Sequence, residues 1–121
     1  MGSGDYMIID YTRSVNTGDK NTVEFIFPNV KGIMKAIVVK CSQKYFNFAM
    51  WFTDYDDNVI IDERAVRNSN VYFVPKLRVY NVSIKDHDKN MTEFYTLNDS
   101  ISVKISGGKN MDALVILRCE E

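Results

Sequence analysis

The sequence predicts an all-β protein: a single antiparallel β-sandwich, jelly-roll-like or immunoglobulin-like, with about eight to ten short strands. Short runs of β-branched and aromatic residues recur roughly every ten residues, and turn residues separate them. The spacers contain none of the long amphipathic patterns that would supply the crossover helices of a parallel sheet. Both observations favour antiparallel strands joined by hairpins.

Five runs in the first half of the chain are predicted strands. Thr22–Phe27 alternates apolar and polar residues and is expected to end at Pro28. Tyr45–Thr53 places a large apolar side chain at every second position, so one of its faces must lie in the core. The five strands are Tyr6–Thr12, Thr22–Phe27, Ile33–Cys41, Tyr45–Thr53 and Val59–Asp62.

The second half of the chain continues the pattern. The sequence allows one short helix, for which Asp62–Asn68 is the candidate, because the β-branched run Ile37–Val39 disfavours a helix at Val30–Val39. Gly107 and Gly108 are expected to supply the positive φ angles of a hairpin turn before the last strand. That last strand is apolar on both faces, which predicts a central position in a sheet. The strands are Val71–Val74, Leu77–Lys85, Met91–Leu97, Ile101–Ser106 and Ala113–Cys119.

Length and charge restrict the organisation and the partners. A chain of 121 residues predicts one domain over residues 5–121, after a flexible leader at residues 1–4. The net charge is -1 and no basic block is present, so nucleic acid is not expected as a partner. We recognise no signal peptide and no apolar run long enough to cross a membrane, which predicts a cytoplasmic or virion location without membrane contact.

The sequence does not predict a catalytic site. His87 is the one histidine, so a Ser/His/Asp or Cys/His catalytic set would have to use it. It lies in a polar Asp-His-Asp loop, where a histidine is most often simply solvated. Two cysteines and one histidine are too few for a zinc site. We expect Cys41 and Cys119 to be free thiols, as in a reducing cytoplasm, with a disulfide between them as the alternative.

Two acidic loops repeat the pattern Asp-x-Asp-x-Asn, which is the first half of a calcium-binding loop. An EF-hand is excluded because Val59 and Met91 replace the glycine at the sixth position of that pattern. We therefore expect no cofactor and interpret both loops as hairpin turns, with a weak calcium site as the alternative. The candidate ligands are Asp54, Asp56, Asn58, Asp86, Asp88 and Asn90.

Three aromatic residues are candidates for a binding surface. Tyr45 and Trp51 lie on the face of their strand opposite the apolar stripe, and Tyr55 follows in the next loop. One interpretation is that both faces are buried because the strand is internal. The others are a protein interface and a surface on which sugar rings stack.

In general character the chain resembles the small accessory or fibre-associated proteins of phage virions. The resemblance covers composition rather than a motif: near-zero net charge, abundant Asn, Lys, Ile, Tyr and Phe from AT-rich codons, and an end directly after the last strand. It implies a non-catalytic structural or assembly protein that acts through protein–protein contacts, as a homo-oligomer such as a trimer or within a larger assembly. The alternative function is a carbohydrate-binding module that uses Tyr45 and Trp51.

Overall fold

The computed structural model describes residues 7–53, 59–80 and 90–121, and it confirms the all-β sandwich. Within these ranges the chain forms nine strands and no helix. The short helix expected at residues 62–68 is wrong, because residues 59–66 pair with a neighbouring strand instead. The strands are β1 (Ile8–Asn16), β2 (Thr22–Cys41), β3 (Phe46–Phe52), β4 (Val59–Val66), β5 (Asn70–Phe73), β6 (Lys76–Tyr80), β7 (Asn90–Phe94), β8 (Thr96–Ser106) and β9 (Asp112–Glu120).

One long strand belongs to both layers of the sandwich. Residues 22–33 of β2 pair with β8, whereas residues 33–41 pair with β9 on one side and, in part, with β5 on the other. Layer A therefore consists of β1, β9, the second half of β2, and β5. Layer B consists of the first half of β2, β8, β3 and β4. Strands β6 and β7 form a separate two-stranded ribbon.

The corner in β2 depends on local irregularity. The register shifts between Phe27 and Val30 and again between Met34 and Ala36, which are the bulges that let one strand change sheets. Between them Gly32 has a φ of 107°, and a Cβ there would lie 2.9 Å from the carbonyl oxygen of Glu120. Only glycine fits this position without strain.

The sequence-based division of this region into two strands is therefore wrong. The sequence predicts that Pro28 ends Thr22–Phe27 and that a new strand runs from Ile33 to Cys41. Instead Pro28 lies at the first register shift, where the ladder hydrogen bond that proline lacks is not needed. The strand continues through Pro28 and is 20 residues long in all.

The core lies between the two layers and consists of the inward faces that alternation predicts. In β3, Phe46, Phe48 and Met50 are buried. The ring of Phe48 stacks on Phe73 of β5 with centroids 5.5 Å apart, so it joins layer B to layer A. Strand β9 is central, between β1 and β2, as its two apolar faces predict.

Side chains rather than backbone close the sandwich where β1 passes the unpaired edge of β2. The Lys31 backbone N–H donates to the hydroxyl of Tyr11 at 3.2 Å, and the Arg13 guanidinium donates to the carbonyl of Ile26 at 3.3 Å. The same guanidinium lies 5.6 Å from the centroid of the Phe25 ring. These contacts occupy polar groups that an open strand edge would otherwise present.

The β1–β2 and β8–β9 loops are joined through the buried side chain of Thr17. Its hydroxyl donates to the Gly108 carbonyl at 2.5 Å and accepts the Met111 N–H at 2.9 Å. The positive φ of the second loop lies at Asn110, not at either glycine, so the expected role of Gly107 and Gly108 is wrong. A Cβ at Gly107 would instead be crowded, at 3.0 Å from the Met111 sulfur and 3.2 Å from the Tyr45 carbonyl oxygen.

We expect Thr17→Val to destabilise the protein by about 1–3 kcal/mol, because it leaves a buried N–H and a half-buried carbonyl without their partner. Thr17→Ser keeps the hydroxyl and is the matched control, with a smaller loss. Urea unfolding of the three proteins measures the difference. Equal midpoints for Thr17→Val and the unsubstituted protein would show that the hydroxyl does not hold the loops together.

Candidate functional site

Tyr45 and Trp51, the aromatic residues selected from the sequence, lie at opposite ends of β3. Tyr45 precedes the strand and is 67% exposed, whereas Trp51 is half-buried near the other end. Six residues of extended strand separate them by roughly 20 Å. The structure therefore does not bring them together into one stacking surface. Tyr55 lies outside the described residues.

The candidate calcium ligands fall almost entirely outside the described residues. Of the six, the structure describes Asn90, as the first residue of β7. His87 also lies outside. The described ranges contain no cluster of three or more His, Cys, Asp or Glu side chains arranged to hold a metal ion. The five candidate calcium ligands that lie outside the described residues are Asp54, Asp56, Asn58, Asp86 and Asp88.

Trp51 belongs to a row of residues that crosses the outer face of layer B. From β2 to β4 the register aligns Ile26, Ser102, Trp51 and Val59. Ile26 is 44% exposed and Val59 is 42% exposed, but Ser102 between them is buried and hydrogen-bonded to the Thr53 hydroxyl at 2.7 Å. The apolar surface of this face is consequently interrupted at β8.

A shallow depression adjoins this row. It has a volume of about 370 Å³, and Arg13, Glu24 and Ser102 contribute polar groups to its wall. On the neighbouring row of the same face, the Lys104 ammonium lies 3.4 Å from the Glu63 carboxylate. The outer face of layer B thus combines one indole ring with several charged and hydroxyl groups.

The outer face of layer A carries an uninterrupted run of apolar side chains. One row runs across β1, β9, β2 and β5 through Thr12, Ile116, Val38 and Tyr72. Leu114, one row further along β9, extends it. Tyr72 is 64% exposed, and the aliphatic side chains beside it are half-buried. We define Val38, Tyr72, Leu114 and Ile116 as the layer A patch.

Charged residues border the layer A patch and neutralise one another. The Arg118 guanidinium donates two hydrogen bonds to the Asp10 carboxylate, at 2.9 and 3.0 Å. This pairing holds the pKa of Asp10 below its ordinary value, against a smaller opposing effect of burial. The Lys35 ammonium lies 4.0 Å from the Glu120 carboxylate at the end of the same face. The border is polar but has little net charge.

The residues of the layer A patch are not among the candidates that the sequence alone selects. The signal is present, because the second face of the last strand contains Leu114 and Ile116. That face indicates a central strand, and the position of β9 confirms the interpretation. However, a strand can be central within its sheet and still have one face that nothing covers. Among the described residues no further layer lies over this face.

Both cysteines are free, as expected. Cys41 pairs with Ala113 and Cys119 pairs with Met34, so seven residues of β2 separate the two thiols, roughly 20 Å. A disulfide needs Cα atoms within about 7 Å, and the alternative pairing is excluded within one chain. Burial raises the pKa of each thiol to about 11, with the nearby charges of Asp10 and Glu121 adding to the effect at Cys119.

We expect slow alkylation of these thiols in the folded protein, because the thiolate is the reactive form. With the pKa raised to about 11, the rate at half-buried Cys41 should rise about tenfold per pH unit between pH 8 and 10. Cys119, fully buried, should react only after unfolding. Iodoacetamide labelling followed by peptide mass spectrometry measures both rates. A rate at Cys41 that levels off by pH 9 would contradict the raised pKa.

No protein-family model matches the chain, and a search of curated proteins also finds no match. In the part of the chain that the structure describes, no helix has the length and apolar character needed to cross a membrane.

Proposed function

We propose that this protein is a non-catalytic assembly module that works through protein–protein contacts made by the layer A patch. The observation that supports the proposal is the row of apolar side chains across the three adjacent strands β9, β2 and β5, which includes a tyrosine that is 64% exposed. On the solvent side of an antiparallel sheet, alternation normally places polar residues. Apolar side chains at Val38 and Ile116 instead indicate a surface that a partner covers.

The composition of this face also fits a protein interface. Such interfaces have an apolar centre rich in tyrosine and a polar rim in which arginine is common. Tyr72, Val38 and Ile116 form the centre, and the Asp10–Arg118 pair forms part of the rim. Because the ion pair is largely exposed, its contribution is to orientation more than to binding energy.

The setting we propose is a phage virion, in which the protein is an accessory component. The AT-rich composition, the near-zero net charge and the all-β fold support this setting. Small net charge is compatible with close packing of many copies, since neighbouring chains repel one another weakly.

A photo-cross-linking amino acid placed at residue 72 tests the docking surface in the organism that produces the protein. We expect one discrete cross-linked species, which mass spectrometry identifies as a defined partner protein, either a second copy or another component. The same amino acid at residue 45 is the matched control, since Tyr45 is about equally exposed but directly precedes β3, a strand of layer B. Identical products from both positions, or none from residue 72, would refute the proposed surface.

Carbohydrate binding is the second candidate function, and the surroundings of Trp51 favour it. Ser102 lies directly opposite Trp51 and also borders the depression that contains Arg13 and Glu24. An aromatic ring beside hydrogen-bonding groups is the usual composition of a small-ligand site. Tyr45 does not belong to this candidate site, because it lies at the far end of β3.

If sugars bind here, Trp51→Ala should weaken binding about tenfold or more, whereas Tyr45→Ala should leave it unchanged. Calorimetric titration with a panel of oligosaccharides measures both affinities. Circular dichroism confirms that each variant is folded. The carbohydrate proposal fails when no member of the panel binds, or when both substitutions have the same effect.

A further inference from the structure

We infer that the partner of the layer A patch is a second copy of this chain, docked face to face about a two-fold axis. The inference rests on the proposed function and names the partner for the same surface. Four properties of the described residues support it: the condition of the strand edges, the area of the face, its charge balance and its strand number.

The strand edges of the sandwich are poorly suited to pairing with another chain. Where β1 passes β2, Tyr11 and Arg13 occupy backbone groups of the unpaired β2 edge. Strand β4 pairs with β3 through two register shifts and exposes Asp62, Glu63 and Arg64. Bulges and charged side chains are the features that prevent strand addition at an edge, and β5 has only four residues. We therefore expect a partner to dock on the face of a sheet rather than to pair with a strand edge.

The outer face of layer A is large enough for a weak, specific dimer. Four strands at about 4.8 Å spacing, with up to nine residues at about 3.3 Å each, give a face of roughly 500 Å². Two copies would bury roughly 1,000 Å², which is the lower limit for a specific interface. A dimer of this size dissociates on dilution, so its population depends on protein concentration.

The charges of this face suit an identical partner. Three cations and three anions of the described residues lie on it or at its border. Two cation–anion pairs, Arg118–Asp10 at 2.9 Å and Lys35–Glu120 at 4.0 Å, are internal to the face. A partner with a strong net charge gains little from such a surface, whereas a second copy meets no net repulsion. The charged residues are Lys35, Lys40, Arg118, Asp10, Asp112 and Glu120.

The even number of strands gives the face a natural two-fold arrangement. In a two-fold symmetric dimer each contact occurs twice. If one residue of the first copy contacts a second residue of the other copy, the same two residues also make contact with the copies exchanged. An axis along the strand direction between β9 and β2 exchanges Ile116 with Val38 and Thr12 with Tyr72. Ile116 of one copy then packs on Val38 of the other, and each tyrosine covers the small side chain of Thr12.

Sedimentation velocity over a concentration series tests the inference. We expect a monomer–dimer equilibrium, weakened at least tenfold by Tyr72→Glu and unchanged by Tyr45→Glu, a substitution at an equally exposed tyrosine outside the face. Circular dichroism and thermal melting show that both variants are folded. A dimer that persists in Tyr72→Glu would overturn the inference, as would a closed trimer, because this axis permits only pairs.

Sedimentation and cross-linking together distinguish a wrong partner from a wrong function. A strict monomer at millimolar concentration overturns self-association. If residue 72 nevertheless cross-links to another protein, the assembly function stands with a different partner. If neither self-association nor a cross-link is found, both proposals fail.

Two charge variants test the axis itself. Val38→Glu and Ile116→Lys should each abolish the homodimer, since each places two charges in the apolar centre. An equimolar mixture should form a heterodimer, because the new carboxylate of one chain would then face the new ammonium of the other while the second contact stays apolar. A mixture that remains monomeric would contradict the proposed pairing of Ile116 with Val38.

Discussion

The passage of β2 from one layer to the other is the constraint on which the rest of this structure depends. Because residues 22–33 pair with β8 and residues 33–41 pair with β9, the two layers share one continuous backbone. The shared strand fixes the position of layer A over layer B, and the Phe48–Phe73 stack fills the space that results at the opposite side. The corner requires irregular pairing at two points and a glycine between them. A strand with regular pairing throughout would produce one open sheet with both faces exposed.

The corner also determines how the edges are closed. Bending β2 away from β9 leaves the backbone of its first half without a strand neighbour on one side. Tyr11 and Arg13 satisfy two of these positions from β1, and the hydroxyl of Thr17 joins the adjoining loops. A backbone N–H or carbonyl group costs free energy if it is left without a hydrogen-bond partner. These three side chains supply partners where no neighbouring strand does. The faces are then the larger surfaces left for contact with other molecules.

Two-residue periodicity predicts the core of this protein well and its surfaces poorly. The burial of Phe46, Phe48 and Met50 and the central position of β9 follow from local alternation, which any strand must obey. The prediction at Pro28 is wrong because a proline that ends a strand and one at a bulge have the same local sequence. The expected helix at residues 62–68 fails for a related reason: pairing with β3 decides the conformation, and pairing partners are distant in sequence.

The choice between Trp51 and Tyr72 shows where sequence reasoning stops. Trp51 stands out as the single tryptophan on a clear alternating strand, whereas Tyr72 lies in a four-residue strand with little pattern. The role proposed for Tyr72 depends on its neighbours across layer A, Val38 and Ile116, which lie more than 30 residues away on either side. An apolar patch is a property of adjacent strands, so the register must be known before it can be recognised. The same register gives layer A a continuous apolar row and interrupts the row of layer B at Ser102.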